Sequence, residues 1–240
     1  MHVYWLEQTE ANVPEDNTWL SPREIAFVDR LRFAKRRADW RLGRWTAKRA
    51  GAACLDLPAT HDGLARLEIR PSPSGAPELF VDYNPTPVAI SLSHSGGRAA
   101  CALASHAANL GCDLELIEPR TDAFISDYFT EEEQALVSQA APADRDSLAT
   151  LIWSAKESAL KALRMGLRLD TRRITIMPGG RCGQTAWTPL RALCVDGQIF
   201  PGWWRSGEGN IRTMVADPIP EMPIGLEISM PSSNRSLHCA

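Results

Sequence analysis

The chain has 240 residues, of which 44% are hydrophobic and 23% charged, with a formal net charge of −3. That is enough apolar material for one sizeable core or two small ones. The net charge and a pI near 6.0 exclude a general pull toward nucleic acid or an anionic membrane surface.

The opening MHVYWLEQTE has no basic start followed by an apolar run, so it does not read as a signal peptide. No stretch approaches the roughly 18 apolar residues of a membrane span. The six cysteines form no C-x-x-C pair and do not sit near clustered histidines, so buried free thiols and a cytoplasmic location are expected.

Ser21-Pro22-Arg23-Glu24 has the form of a capping box with proline at the first helical position, which predicts a helix to about Leu31. A second helix is expected over about 34–53. Between Arg30 and Arg49 it carries nine Lys/Arg against one acid, Asp39, so a basic surface is expected on an otherwise slightly acidic protein. Residues 58–87, with several Pro and Gly, read as turns and short strands. VAISLS (88–93) reads as a strand that ends in the tight loop HSGG. RAACALA (98–104) and LGCDLELIE (110–118), separated by SHAAN, read as an antiparallel hairpin. Thr130 with Glu133 forms a second capping box and predicts a helix to about Gln139. A longer helix follows over about 144–165, with Gly166 placed to end it. Short strands follow: RITIMP, TAWTPL, RALCVDGQIFPGWWR and IRTMVAD. No repeat stands out, and part of the tail after about Pro218 is expected to be poorly ordered. Helices and strands alternate in blocks, which argues for an α+β class with mostly antiparallel sheet and a boundary near residue 108.

Four elements bear on chemistry. In a strand, Asp113 and Glu115 share one face, and two carboxylates this close repel unless a cation or donors lie between them. A hard divalent ion such as Mg²⁺ takes one or two carboxylates and completes its shell with water and phosphate oxygens. A solvated face of a hairpin would carry the same two letters. On the long helix, Trp153, Lys156, Glu157 and Lys161 are expected to form one stripe, with Leu148, Leu151, Ile152, Ala155 and Ala159 mostly on the other side. An exposed Glu157–Lys161 pair explains that stripe equally well. It also supplies a third oxygen ligand, Glu157, and two ammoniums for phosphate oxygens. The strand end Ser93-His94-Ser95-Gly96-Gly97 can present backbone N–H groups and an imidazole to an anion. The basic helix is the fourth element.

In this order, Gly75-Ala76-Pro77, Ser93-His94-Ser95-Gly96, Gly111-Cys112-Asp113-Leu114-Glu115, Phe129-Thr130 with Glu133, and Trp153-Ser154-Ala155-Lys156-Glu157-Ser158-Ala159-Leu160-Lys161 resemble the 4′-phosphopantetheinyl transferases. The likeness is to the longer single-chain, Sfp-like type, covers about residues 75–161, and extends through the basic helix to about residue 33. It implies a pseudo-dimer of two similar α+β halves, 1–108 and 109–240, with coenzyme A in the cleft between them. The activity implied is transfer of the phosphopantetheine arm of coenzyme A to a serine of an apo acyl or peptidyl carrier protein, releasing 3′,5′-adenosine bisphosphate. Asp113, Glu115 and Glu157 would hold Mg²⁺, with Mn²⁺ as the alternative ion. Glu157 or a metal-bound water would take the serine proton, with Lys161 beside it at the chemistry. Lys156 and Lys161 would contact the diphosphate. Ser93, His94 and Pro77 would contribute to the nucleotide site. Arg44, before Arg37, Arg41 and Lys48, would join His94 on the 3′-phosphate. Phe124, Tyr128 and Phe129 would contribute to an apolar docking surface or to the core. Members of this type often carry a basic residue where Ala76 stands, which puts one nucleotide contact in doubt. A monomer, and no nucleic acid or membrane partner, complete the expectation. Two other readings use the same residues: a Mg²⁺-dependent hydrolase of phosphoanhydrides, which lacks a G-x-x-x-x-G-K-[ST] loop here, and a nucleic-acid-binding module, which has no need of three converging acids.

Overall fold

A computed structural model describes residues 1–180 and 185–227. In chain order the elements are β1 (Tyr4–Thr9), α1 (Pro22–Val28), α2 (Ala34–Cys54), α3 (His61–Ala65), β2 (Leu67–Pro71), β3 (Pro77–Val81), β4 (Asn84–Pro85), β5 (Ala89–Ser95) and β6 (Arg98–Ala104). They continue with β7 (Asn109–Leu116), α4 (Asp122–Tyr128), α5 (Glu131–Gln139), α6 (Pro142–Ala162), β8 (Ile174–Pro178), β9 (Thr188–Cys194), β10 (Ile199–Gly207), β11 (Asn210–Asp217) and β12 (Ile224–Gly225). One sheet runs β12-β1-β6-β5, a second β7-β11-β10-β9-β8, and a small third β2-β3-β4. All described pairings are antiparallel except β1 with β12. The class is α+β.

Both capping boxes form as the sequence predicts. Ser21 and Glu24 bond each other's backbone N–H at the start of α1, and Thr130 and Glu133 do the same at α5. The loop after β5 closes through Gly96 (φ +57°) and Gly97 (φ +73°), a geometry that a side chain would resist.

Three expectations are corrected. β6 and β7 are not a hairpin. β6 pairs with β1 and β5, while β7 lies in the other sheet beside β11. Each strand instead belongs with a different partner: β5–β6 form a hairpin in the first sheet, and β7 lies on the β10–β11 hairpin of the second. Gly166 does not end the long helix: α6 stops at Ala162, and Arg164 (φ +56°) takes the left-handed position. A repeat is also present. W-T-A-K at 45–48 in α2 and W-S-A-K at 153–156 in α6 occupy matching places. Of the cysteines, Cys54, Cys101, Cys112 and Cys194 are free thiols, and Cys182 and Cys239 lie outside the described residues. The tail expectation also falls there from residue 228 on; before it, β12 pairs beside β1.

The repeat has a packing reason. α2 covers the outer face of the first sheet with its second half, buried over 45–52, and α6 covers that of the second and is buried over most of its length. The two sheets face each other through Trp5, Ala100, Ala102 and Ala104 on one side and Cys112, Leu114, Met214 and Ala216 on the other. In each half a fully buried lysine pins the long helix. Lys48 pairs with Glu24 and donates to Trp19 O at 3.0 Å. Lys156 pairs with Glu133 at 2.8 Å and donates to Thr171 O at 2.9 Å and to Ile174 O. Each glutamate is the capping-box residue of the short helix and also accepts from a strand N–H, Ile69 at 3.3 Å or Ile176 at 2.7 Å. Burial pushes the Glu133 carboxyl up and the Lys156 ammonium down, each against its partner's charge. Removing one member strands a buried charge, which typically costs about 3–5 kcal/mol. Lys156→Met should therefore lower urea-unfolding stability by about that amount, and Lys156→Met/Glu133→Gln should recover part of the loss; a near-neutral single variant would remove the pinning role.

Candidate functional site

β5 and β7 are edge strands of different sheets that lie side by side. They share no backbone ladder; serine hydroxyls stitch them together. Ser91 Oγ accepts from Cys112 N at 2.9 Å, Ser95 Oγ accepts from Leu116 N at 3.3 Å, and between them Ser93 Oγ donates to Asp113 Oδ1 at 2.7 Å. The alternation of β5 aims all three at β7. Gly111 sets the other spacing. A Cβ there would stand 1.8 Å from the Ser158 carbonyl oxygen, so only glycine lets α6 lie this close to β7.

That approach lets Lys161 reach across. Its Nζ donates to Cys112 O at 3.0 Å and to Asp113 Oδ1 at 2.7 Å, and stands 3.9 Å from Glu157. Glu115, on the same face of β7 as Asp113, meets Arg120 at 3.6 Å. Asp113 is 1% exposed, and its Oδ2 is buried without a hydrogen-bond partner among the described residues. Burial, and then the charge of Asp113, pushes the Glu115 carboxyl up to about 7 against the pull of Arg120. The same two causes, in the same order, raise Glu157. Burial, the largest single influence, would lower the Lys161 ammonium, but Asp113, Cys112 and Glu157 together outweigh it and the net shift is upward.

The acids thus carry more negative charge than Lys161 and Arg120 offset, and one carboxylate oxygen is unused. Among the described residues no three metal-ligating side chains already stand together as a metal cluster. The donor set nevertheless fits a hard divalent cation: all-oxygen, mutually repelling, with a buried orphan oxygen.

Lys161 also lines a cavity of about 570 Å³, with Arg44, Arg70, Pro77, Leu160 and Arg164 among its walls. Arg44 sits 4.8 Å over the Trp40 ring and 3.7 Å from Glu24. His94 is not on this wall. It is exposed and lines a separate groove with Phe33, Lys35, Arg36, Asp39 and Trp40.

Other expected residues are placed elsewhere. Lys156 is 0% exposed and bound to Glu133, so it does not join Lys161 at the carboxylates. The stripe drawn through Trp153, Lys156 and Lys161 fails because α6 is buried nearly all round. Lys48 is likewise buried on Glu24. Arg41 closes the 14–16 loop, donating to Pro14 O, to Glu15 O at 3.0 Å and to Asp16 O at 2.9 Å. Arg37 donates to Leu31 O at 3.2 Å at the surface. Phe129 is core, whereas Phe124 and Tyr128 pack edge-on against Trp153 at 5.0 and 5.2 Å and Tyr128 stays 38% exposed. The sequence does not single out Arg70, Arg164 or Arg120, and it marks Lys35 and Arg36 only as part of the basic helix. Arg70 lies within the 58–87 stretch of turns and short strands, where only Gly75-Ala76-Pro77 carries a motif.

Residues 109–192 match the family model of the 4′-phosphopantetheinyl transferase superfamily. The matched segment contains β7 and α6 and hence Asp113, Glu115, Glu157 and Lys161, and over these residues the chain is similar to that superfamily. No curated protein matches it. Among the described residues no helix is long and apolar enough to cross a membrane.

The raised Glu115 carboxyl gives a signed prediction for the metal-free protein. Its folded pKa exceeds the ordinary 4.5, so between 4.5 and about 7 the folded state holds more protons than the unfolded one, and stability falls as pH rises through that window. Glu115→Gln should therefore raise Tm at pH 8, by about 2–4 °C per ~1 kcal/mol gained, with the gain vanishing below pH 4.5. Differential scanning calorimetry at pH 4 and pH 8 checks it; an equal or reversed difference would discard the assigned repulsion.

Proposed function

We propose that the chain transfers the 4′-phosphopantetheine arm of coenzyme A to a serine of an apo acyl or peptidyl carrier protein, as an Sfp-like member of that superfamily. The observation that supports this most is the orphan Asp113 Oδ2 beside two carboxyls with raised affinity for protons, at the lysine that also lines the large cavity. A binding module gains nothing from such repulsion.

Asp113, Glu115 and Glu157 would hold Mg²⁺, with Mn²⁺ as a substitute. When bound, the ion supplies charge neutralisation on the diphosphate. Ser93 and Lys161 hold Asp113 in place through its Oδ1 and leave Oδ2 for the ion. The carrier serine Oγ attacks the phosphorus next to the pantetheine arm. Its proton passes to the Glu157 carboxylate, and the bond to the leaving phosphate breaks, so 3′,5′-adenosine bisphosphate departs with the electron pair. Burial suits Glu157 to this, since a base with raised affinity accepts the proton more readily near neutral pH. Lys161 stabilises the charge that grows on the diphosphate.

The cavity between Pro77, Arg70 and Arg44 takes the nucleotide end, with Arg164 at its rim. His94, now with Lys35 and Arg36, remains the candidate for the 3′-phosphate. Residues 1–108 would supply the nucleotide side and 109–240 the ion, the diphosphate and carrier docking, with exposed Tyr128 at the docking face. The protein would act as a monomer in the cytoplasm. The hydrolase reading shares the acids but needs no carrier.

Intact-protein mass spectrometry of apo carriers incubated with the chain, coenzyme A and Mg²⁺ should show gain of one phosphopantetheine, absent with EDTA. Coenzyme A cleavage with no gain on fatty-acid, polyketide and peptide carriers would favour the hydrolase. Glu157→Gln should lower kcat by at least about 100-fold, the scale of general-base catalysis. His94→Ala should raise the KM for coenzyme A more than that for its 3′-dephospho form; equal changes would take His94 off the 3′-phosphate.

A further inference from the structure

The two halves repeat one order of elements, so the cleft between β7 and β5 has a counterpart between β1 and β10. Two tight turns fix the correspondence. Ser95 faces Arg98 across Gly96–Gly97, and Gly207 faces Asn210 across Glu208–Gly209. Counting back from them, Ser93, which faces Ala100, corresponds to Arg205, which faces Arg212. On the neighbouring strands Leu6, facing Cys101, corresponds to Asp113, facing Thr213, and Gln8 corresponds to Glu115. In the helices, W-T-A-K against W-S-A-K sets Arg49 where Glu157 stands. Every acid of the first cleft has a neutral or cationic residue at its counterpart.

Beside these strands lies a hollow of about 370 Å³, lined by Gln8 and Arg205, the counterparts of Glu115 and Ser93, with Asn12, Arg98, Ser206 and Arg212 and the acids Glu7 and Glu208; Leu6 and Arg49 are not among its walls. The carboxylates are already engaged. Glu7 accepts from Arg212 Nε at 2.8 Å and Nη2 at 2.6 Å and from Arg98 at 3.3 Å, and Arg98 also meets Glu208 at 2.8 Å. Arg205 is the third guanidinium. Its Cζ stands 4.8 Å over the Trp187 ring, and its Nε is buried with no hydrogen-bond partner among the described residues. A buried N–H of a cation without an acceptor is costly, and an anion in the hollow would relieve it. Asn12 Oδ1 is held by Thr9 N at 2.8 Å and Thr9 Oγ1 at 3.1 Å, which leaves its amide nitrogen to donate. Burial, and then the charge of Arg212, lower the Arg205 proton affinity more than Glu7 and Glu208 restore it.

We infer that this hollow is a second, charge-inverted site that binds a small oxyanion of the phosphate type on Arg205, with the Ser206 hydroxyl and the Asn12 amide as neutral donors. A planar guanidinium matches a tetrahedral oxyanion through two parallel N–H bonds. The inference does not rest on the transferase reading.

The probe is inorganic phosphate, titrated into the full chain at constant ionic strength with chloride as the balancing anion, and followed by NMR. Expected is one saturable curve on the Arg205 Nε–H and the Gly207 amide, unchanged in His94→Ala and shifted at least tenfold to weaker binding in Arg205→Gln. No saturable shift at these groups, a curve lost in His94→Ala, or a curve indifferent to Arg205→Gln would each overturn the site. If Arg205→Gln does not fold, the Arg205 Nε–H signal of the unaltered chain still decides, since a static resonance under phosphate rules the site out.

Discussion

A buried ammonium on a capping-box carboxylate, made twice, is the contact on which the rest of the structure depends. Glu24 and Glu133 each do three things: they cap a short helix, accept a strand N–H, and receive a lysine from the long helix. One side chain thereby fixes three elements relative to one another. With Lys48 and Lys156 held so, the next turn of α6 is fixed in rotation, and Glu157 and Lys161 face β7. The lysine of the Trp-x-x-Lys-Glu motif belongs to the scaffold, and its glutamate belongs to the cleft.

The cleft follows from joining two edges that do not pair. Serine hydroxyls along β5 meet β7 with side-chain bonds where a sheet would use backbone ones. A sheet would have consumed the polar groups of both strands in a ladder. The stitched edge instead brings Ser93 onto one oxygen of Asp113 and leaves the other free. Small residues, Ala100, Ala102 and Ala104, let the sheets behind it pack closely, so the charged rim sits on a dry core.

Much of this was legible in the sequence, and the rest was hidden for physical reasons. Both capping boxes, the glycine turn after β5 and the shared face of Asp113 and Glu115 follow from local rules. The pairing of β6 with β5 and not with β7 does not, because strands adjacent in sequence need not be adjacent in a sheet. Lys48, Arg41 and Lys156 look like solvated cations on paper. Their stems are long enough to reach buried carboxylates or carbonyls, and only tertiary packing shows that they do. The repeated W-[ST]-A-K was readable, yet four letters across a gap of 108 are slight, and their meaning lies in the shared glutamate contact. Arg70 and Arg164 escaped notice because nothing in a turn-rich stretch or a helix end marks a cavity wall.

Gly111 carries a consequence for how related chains are judged. Its value is a clearance of one methyl group between β7 and the Ser158 carbonyl, with no special backbone angle involved. A homologue with alanine there would retain Asp113, Glu115, Glu157 and Lys161 and would satisfy any census based on charged letters. Its long helix would nonetheless be lifted from the strand, and Lys161 would lose its grip on Cys112 O and Asp113 together. Chains with a complete set of acids and an enlarged residue at this one position are therefore the place to look for members of the superfamily that have kept the shape and given up the reaction.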